Sequence, residues 1–182
     1  MSWRLRIATP ADAGALEALI EESAFGLQQS VYSKAQIRAA IGPVFGVDLQ
    51  MIHDRTYFVA CMEETIVGCG GWSFRPATYG GRAKGNEPPV ALNPRKDAAR
   101  IRAFFVHPFC ARRGIGAAIL QASESALQDH GFLKAEIAAT LVGEPLYAKY
   151  GFRTLEYFEI PLEGGLSITG ARMAKDYRDC QK

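Results

Sequence analysis

The run Phe104-Phe105-Val106-His107-Pro108, followed closely by Arg112-Arg113-Gly114-Ile115-Gly116, narrows the possible folds more than any other stretch of this chain. It reads as an apolar strand, a turn marked by proline, and a glycine-rich, doubly basic entrance to an amphipathic helix. The first N–H groups of a helix lack intrahelical partners, and the aligned peptide dipoles add partial positive charge there. Glycine lets a ligand approach that backbone closely. The segment is therefore a candidate cradle for a phosphate or pyrophosphate, with N–H groups from Arg113 to Ala117 as donors and Arg112 or Arg113 adding charge.

The 182 residues suit one domain, residues 1–182, with a real core. The formal net charge of +2 argues against a general nucleic-acid or membrane-surface binder. No apolar run is long enough to cross a bilayer, and Met1-Ser2-Trp3-Arg4-Leu5-Arg6 has no signal-peptide character. The expectation is a cytoplasmic enzyme. Cys61, Cys69, Cys110 and Cys180 show no Cys-x-x-Cys spacing, and no histidine stands at ligand spacing from them, so no metal site is expected. Cys61 and Cys69 lie in strand-like text and read as buried thiols; Cys110 lies in the turn before the glycines.

Alternation of Trp3, Leu5 and Ile7 with Arg4 and Arg6 predicts a first strand, and Thr9-Pro10-Ala11-Asp12 opens a helix with the stripe Ala15, Leu16, Leu19, Ile20. A second helix is expected from Ser33 to about Ile41, ended by Gly42-Pro43. Segments 56–62 and 65–74 read as a hairpin turning at Glu63-Glu64; Gly68, Gly70 and Gly71 suggest a bulge or close backbone approach in its second strand. The stretch 76–97 reads as a long loop. A strand over 100–106 precedes a helix from Arg113 to about Asp129, with Ile115, Ala118, Ile119, Ala122 and Ala126 on its apolar face. Leu133, Ala135, Ile137 and Ala139 alternate as a strand; a short helix spans 144–150; strands follow from 152 to 160 and from 166 to 173, separated by Gly164-Gly165. This order implies a mixed α/β fold around one sheet.

The strand 101–106, the turn at Pro108, the loop 112–116 and its helix resemble the acetyl-CoA-binding motif of the GCN5-related N-acetyltransferases. Leu146-Tyr147-Ala148-Lys149-Tyr150-Gly151-Phe152 is similar to that family's second signature, a short helix ending in Gly-Phe. The resemblance implies an α+β fold of acyl-CoA N-acyltransferase type: one mixed, mostly antiparallel sheet of about six to seven strands flanked by about four helices. It implies acetyl-CoA as cosubstrate and a primary amine of a small molecule or peptide as acceptor. Homodimerisation is common among such enzymes, and Tyr157 and Phe158 are candidates for interface or core. Thr140 stands where the family often has Asn or Ser. The strand leading to the loop carries Arg100 and Arg102 where many members carry a Glu.

Within this resemblance, the backbone of Phe104, Phe105 and Val106 would pair with pantetheine amides as an added strand. A main-chain amide there would support the thioester oxygen. Tyr147 is the candidate general acid: its ordinary pKa near 10 keeps it protonated at neutral pH, and a departing thiolate is a comparable base. Leu146 and Tyr150, four residues apart, would form the buried stripe and leave Tyr147 facing the cleft. The base stays open among His107, Glu136, Glu159 and water. Acceptor contacts are expected from residues 25–32 including Tyr32, from Trp72, Ser73 and their neighbours to Arg75, and from 79–93. Two rival readings remain: an acyl-CoA-binding regulatory module without catalysis, and a nucleotide-binding protein of another class. The latter lacks the third fingerprint glycine and any Lys-Ser/Thr phosphate loop.

Overall fold

Residues 2–77 and 90–178 are described by a computed structural model. Seven strands, β1 (Arg4–Ile7), β2 (Tyr57–Met62), β3 (Thr65–Ser73), β4 (Ala99–Val106), β5 (Lys134–Thr140), β6 (Arg153–Pro161) and β7 (Ser167–Asp176), form one sheet in the order β1-β2-β3-β4-β5-β7-β6. All neighbours are antiparallel except β4 and β5. Among the described residues five α-helices flank it: α1 (Ala13–Leu27), α2 (Lys34–Ala40), α3 (Leu49–His53), α4 (Ile115–Asp129) and α5 (Glu144–Lys149).

The two faces of the sheet carry different cores. Leu16, Leu19, Ile20 and Ala24 of α1 and Ile37 of α2 bury against Tyr57, Val59, Cys69 and Phe105. On the other face, Ile115 and Ile119 of α4 pack on Ala60 and Val67, and Leu120 and Leu127 join Trp72, Ile101, Ile137 and Tyr147. Burial of one such large aliphatic side chain contributes roughly 2 kcal/mol. Because β3 is covered on both faces, residues 66–73 are buried without alternation. Its glycines are contact sites. A Cβ on Gly68 would lie 2.5 Å from Ile115 Cγ2, and one on Gly70 would lie 2.6 Å from the Phe104 ring. The pairing of β3 with β4 also shifts register between Cys69 and Gly71.

Several boundaries differ from the sequence reading. Thr9 to Asp12 form their own 3₁₀ turn, in which the Asp12 carboxylate accepts from the Thr9 N–H at 2.7 Å, before α1 begins. Helix α3 was not expected; five residues are too few to display a period, and its one local signal is Asp48, whose Oδ1 accepts the Met51 N–H at 3.1 Å. Leu133 is exposed and precedes β5, since chain direction is reset at Gly131 (φ 86°) and the inward alternation starts at Ala135. Helix α4 starts at Ile115, not Arg113. Its buried stripe is Ile115, Ile119, Leu120, Ser123, Glu124 and Leu127, while Ala118, Ala122 and Ala126 flank it. Leu120 and Leu127 reach the second-face core that the alanines are too short to fill. Much of the expected loop, with Tyr79, lies outside the described residues. Cys61, Cys69 and Cys110 are buried free thiols; burial pushes the Cys69 thiol up to about 12. Tyr157 is exposed on edge strand β6, and Phe158 is partly buried.

Candidate active site

The parallel strands β4 and β5 pair only at Ala99 with Ala135, Arg100 with Glu136 and Ile101 with Ile137. Beyond these rungs they separate, and the gap opens into a cavity of about 570 Å³. That size suits an extended small-molecule ligand. Phe104, Phe105 and Val106 line one side; Ala138, Ala139 and Thr140 line the other; Gly114, Ile115, Gly116 and Ala117 of the α4 start close one end.

Alternation along β4 sends adjacent side chains to opposite faces. Phe104 meets Tyr147 edge-on, with ring centroids 5.8 Å apart. Phe105 turns to the α1 face and meets Phe45 at 5.9 Å. Between β4's regular parts, Ala103 adopts φ 60°, an uncommon value for alanine. The buried Tyr57 hydroxyl donates to the Ala103 carbonyl at 3.1 Å, holding this distortion from the core side. The Val106 N–H is donated to Ser23 Oγ at 3.2 Å, so Val106 offers the cavity its side chain rather than that donor.

At the α4 start the backbone is left-handed at Arg112 (φ 63°) and at Gly114 (φ 84°). Such changes of hand turn successive N–H groups toward a common side. The first helical bond is the Ala118 N–H to the Gly114 carbonyl, 2.9 Å. Among the described residues, the N–H groups from Arg112 through Ala117 have no acceptor. The glycine at 116 keeps this end open: a Cβ there would come within 3.2 Å of Leu146 Cδ2. Arg112 and Lys149 line the same cavity and add positive charge; Arg113 is exposed and does not line it. Unpaired main-chain donors, glycine access and cationic side chains together fit a pyrophosphate. Thr140 lines the cavity and caps the turn into α5, its Oγ1 accepting the Gly143 N–H at 3.1 Å.

Tyr147 lines the cavity but is the most buried residue of α5. Leu146 is only partly buried, as is Tyr150, so the expected stripe is inverted. The cause is the short helix, which places Tyr147 between Phe104 and Phe152 (6.0 Å) within the core. Burial raises its pKa well above the ordinary tyrosine value.

Tyr32 also lines the cavity. Its hydroxyl donates to the Thr169 carbonyl at 2.7 Å and accepts the Leu141 N–H at 2.9 Å, tying the α1–α2 segment to β7 and to the turn after β5. Trp72 and Ser73 lie elsewhere. Trp72 is a core residue packed on Phe74, His130 and Phe132. Ser73 is buried and accepts the Arg75 N–H.

The three side chains considered as bases do not line the cavity, and each is engaged by another group. His107 Nε2 meets Glu22 at 3.0 Å and its Nδ1 accepts the Phe109 N–H. Glu136 pairs with Arg100. Glu159 accepts from Ser167 Oγ at 2.6 Å and Thr169 Oγ1 at 2.5 Å. The cavity's carboxylate, among the described residues, is instead Asp48, buried and paired with Arg102. Burial opposes both charges: it raises the Asp48 carboxyl and lowers the Arg102 guanidinium, and each partner offsets the effect on the other. Arg102 also donates to the Ala77 carbonyl at 2.7 Å. Arg102 was visible on the strand in sequence, but its partner comes from a distant segment with no motif.

A splayed pair of parallel strands with an open, glycine-led helix start at the mouth can take an extended ligand that carries a phosphate or pyrophosphate. The model of the acetyltransferase (GNAT) family matches residues 23–152, and the chain belongs to that family. No curated protein matches it in sequence. Among solved structures, a GCN5-related N-acetyltransferase from Rhodopseudomonas palustris shares 21% identity and a TM-score of 0.70, covering 97% of this chain and 96% of its own. The PaiA N-acetyltransferase from Thermoplasma acidophilum, in complex with coenzyme A, shares 17% identity with TM-score 0.68 over 97% of this chain and 100% of its own. A GNAT acetyltransferase from Brucella melitensis, in complex with acetyl-CoA, shares 14% identity with TM-score 0.58 over 97% and 88%. These likenesses establish the acyl-CoA N-acyltransferase fold. No helix among the described residues is long and apolar enough to cross a membrane.

Proposed function

We propose that the whole chain is one catalytic domain that transfers an acetyl group from acetyl-CoA to a primary amine within a ternary complex. The observation that carries this reading is the gap between β4 and β5 ending on the unpaired N–H groups of residues 112–117. Those donors, with Arg112 and Lys149, would hold the pyrophosphate; the open edges of β4 and β5 would hold the pantetheine arm. The bound thioester supplies an activated acyl carbon.

Asp48 is positioned to accept the proton that an incoming ammonium must lose, directly or through water. A carboxyl raised by burial is a better proton acceptor than an exposed one. The neutral amine then attacks the acyl carbon, the carbon–nitrogen bond forms, and the carbon–sulfur bond breaks. Tyr147 gives its hydroxyl proton to the departing sulfur, and the proton that the nitrogen sheds on becoming an amide, passed on through water, restores the phenol. Its raised pKa keeps that proton in place beforehand, and the same dry surroundings raise the proton affinity of the developing thiolate.

Calorimetry with acetyl-CoA and release of free thiol across an amine panel test the reading. Tyr147→Phe is expected to lower kcat by about 10²–10⁴ with acetyl-CoA affinity unchanged. Unchanged turnover would remove Tyr147 from the chemistry. Binding of acetyl-CoA without thiol release to any amine would identify a non-catalytic acyl-CoA module instead.

A further inference from the structure

The β4 wall of the gap is irregular at one place. Cys69 of β3 pairs with Phe105 and Gly71 pairs with Arg102, so Gly70 stands opposite two residues, Ala103 and Phe104. This is a β-bulge, and it lies just past Ile101, the last β4 residue paired with β5. Gly70 leaves the room the bulge needs, since a Cβ there would lie 2.6 Å from the Phe104 ring. Ala103 takes the left-handed φ of 60°, which a residue with a side chain keeps only when its surroundings hold it there.

Tyr57 supplies the hold. It stands on β2, buried in the core on the α1 face, and reaches across β3 to donate to the Ala103 carbonyl at 3.1 Å. Cys69 Sγ lies 3.2 Å from the same hydroxyl. A thiol is a weak acceptor, so the carbonyl takes the phenol proton. Burial pushes the Tyr57 pKa well above the ordinary tyrosine value, and that proton stays in place. The effect passes to the next residue. In a trans peptide the Phe104 N–H points opposite to the Ala103 carbonyl. Val106, two residues on, gives the same direction: the His107 N–H goes to the Val67 carbonyl of β3, while the Val106 N–H turns away from β3 to Ser23. The Phe104 N–H therefore faces the gap between β4 and β5.

We infer that Tyr57 is a positioning residue for acetyl transfer: by holding the Ala103 carbonyl on the core side, it fixes the Phe104 N–H toward the thioester oxygen. This rests on the acetyl-transfer reading above. When the amine attacks, the carbonyl π electrons move onto that oxygen. A donor already aimed at it stabilises the charge without reorganising. Phe104 is placed for this, with its ring against Tyr147 and with Arg102, the partner of Asp48, two residues before it. Those are the two groups that handle the protons. Tyr57 does not line the cavity and touches no reacting atom; it acts through one peptide plane.

The test uses the full-length protein and acetyl-CoA isotope-labelled at the thioester carbonyl, read by difference infrared spectroscopy, together with thiol release across the amine panel. In the unaltered protein the bound carbonyl stretch is expected below its value in an apolar solvent. In Tyr57→Phe, which keeps the buried ring, the stretch is expected to move to higher frequency and kcat to fall about tenfold or more. The amine KM, and the calorimetric affinity for free coenzyme A, which has no thioester, are expected to stay unchanged. Cys69→Ala disturbs the same core but leaves the Tyr57 bond; it is expected to lower Tm while keeping the parent stretch and kcat. An equal loss of kcat in Cys69→Ala would assign the effect to core packing and overturn the inference. So would an unchanged stretch in Tyr57→Phe, or, should that variant not fold, a stretch in the unaltered protein no lower than in the apolar solvent. Each of these results leaves acetyl transfer standing as long as thiol is released. Acetyl-CoA binding with no thiol released to any amine would overturn the parent reading and this one together.

Discussion

Two helix starts in this molecule treat the same physical problem in opposite ways. At α2 the chain satisfies itself. Ser33 Oγ accepts the Gln36 N–H at 3.2 Å, and Gln36 Oε1 accepts the Ser33 N–H at 2.8 Å. At α4 the cap position is Gly114, which has no side chain to offer, and the N–H groups of residues 112–117 have no acceptor among the described residues. The turn before α1 and the start of α3 follow the first pattern, through Asp12 and Asp48. The start of α5 also carries a glycine, Gly143, without a side-chain cap, so what sets α4 apart is the run of unpaired N–H groups facing a cavity, which leaves them available to an anion.

Substitutions at the open and closed starts should therefore separate binding from stability. The largest effect is expected from Gly114→Val. A β-branched residue at φ 84° is strained by about 1–3 kcal/mol, and relief of that strain turns the N–H groups of the α4 start away from their common side, so acetyl-CoA affinity should fall by about tenfold or more in calorimetry. Retained affinity would erase the contrast between the two starts. Arg112→Gln should weaken acetyl-CoA by about tenfold at low salt, and the loss should shrink as ionic strength rises. Ser33→Ala should do the reverse of both: it should cost about 1 kcal/mol in thermal or denaturant unfolding and leave acetyl-CoA affinity untouched.

The smallest effect is expected at Asp12. Hydrogen bonds from Arg6, at 2.7 and 2.8 Å, hold its carboxyl well below the usual range, helped by the Thr9 N–H. A group depressed in the folded state contributes stability above its unfolded pKa of about 3.9, and loses it as pH falls toward the folded value. Asp12→Asn should thus cost under about 1 kcal/mol at pH 7, since Arg6 is partly exposed, and the gap to the parent protein should begin to narrow below about pH 4. Unfolding curves at pH 7 and pH 3 would show it.

What was legible in the sequence depended on how local its cause was. The strand, turn and glycine-led helix from Phe104 to Gly116 announced the mouth of the cavity because propensity, punctuation and periodicity all act within a few residues there. Tyr147 was placed correctly on a short helix, but its environment was inverted, since neighbours four apart say nothing of Phe104 arriving from another strand. Trp72 and Ser73 read as candidates for the cleft because a strand covered on both faces shows no alternation to sort its sides. Asp48 and Gln28 carried no signal. Each owes its character to what the fold brings around it: Arg102 in one case, and in the other a buried side-chain oxygen without a hydrogen-bond partner among the described residues.

The early parting of β4 and β5 has a consequence for solubility. It leaves two unpaired strand edges in the middle of a sheet, the kind of feature that invites foreign chains and aggregation when exposed. Here those edges face each other inside the molecule. The true outer strands are defended differently: β1 carries Arg4 and Arg6, and β6 carries Arg153, Glu156 and Glu159 and finishes on Pro161. Enclosure guards the inner pair and charge guards the outer pair, so the protein can keep apolar, unfilled strand margins at its centre without becoming sticky.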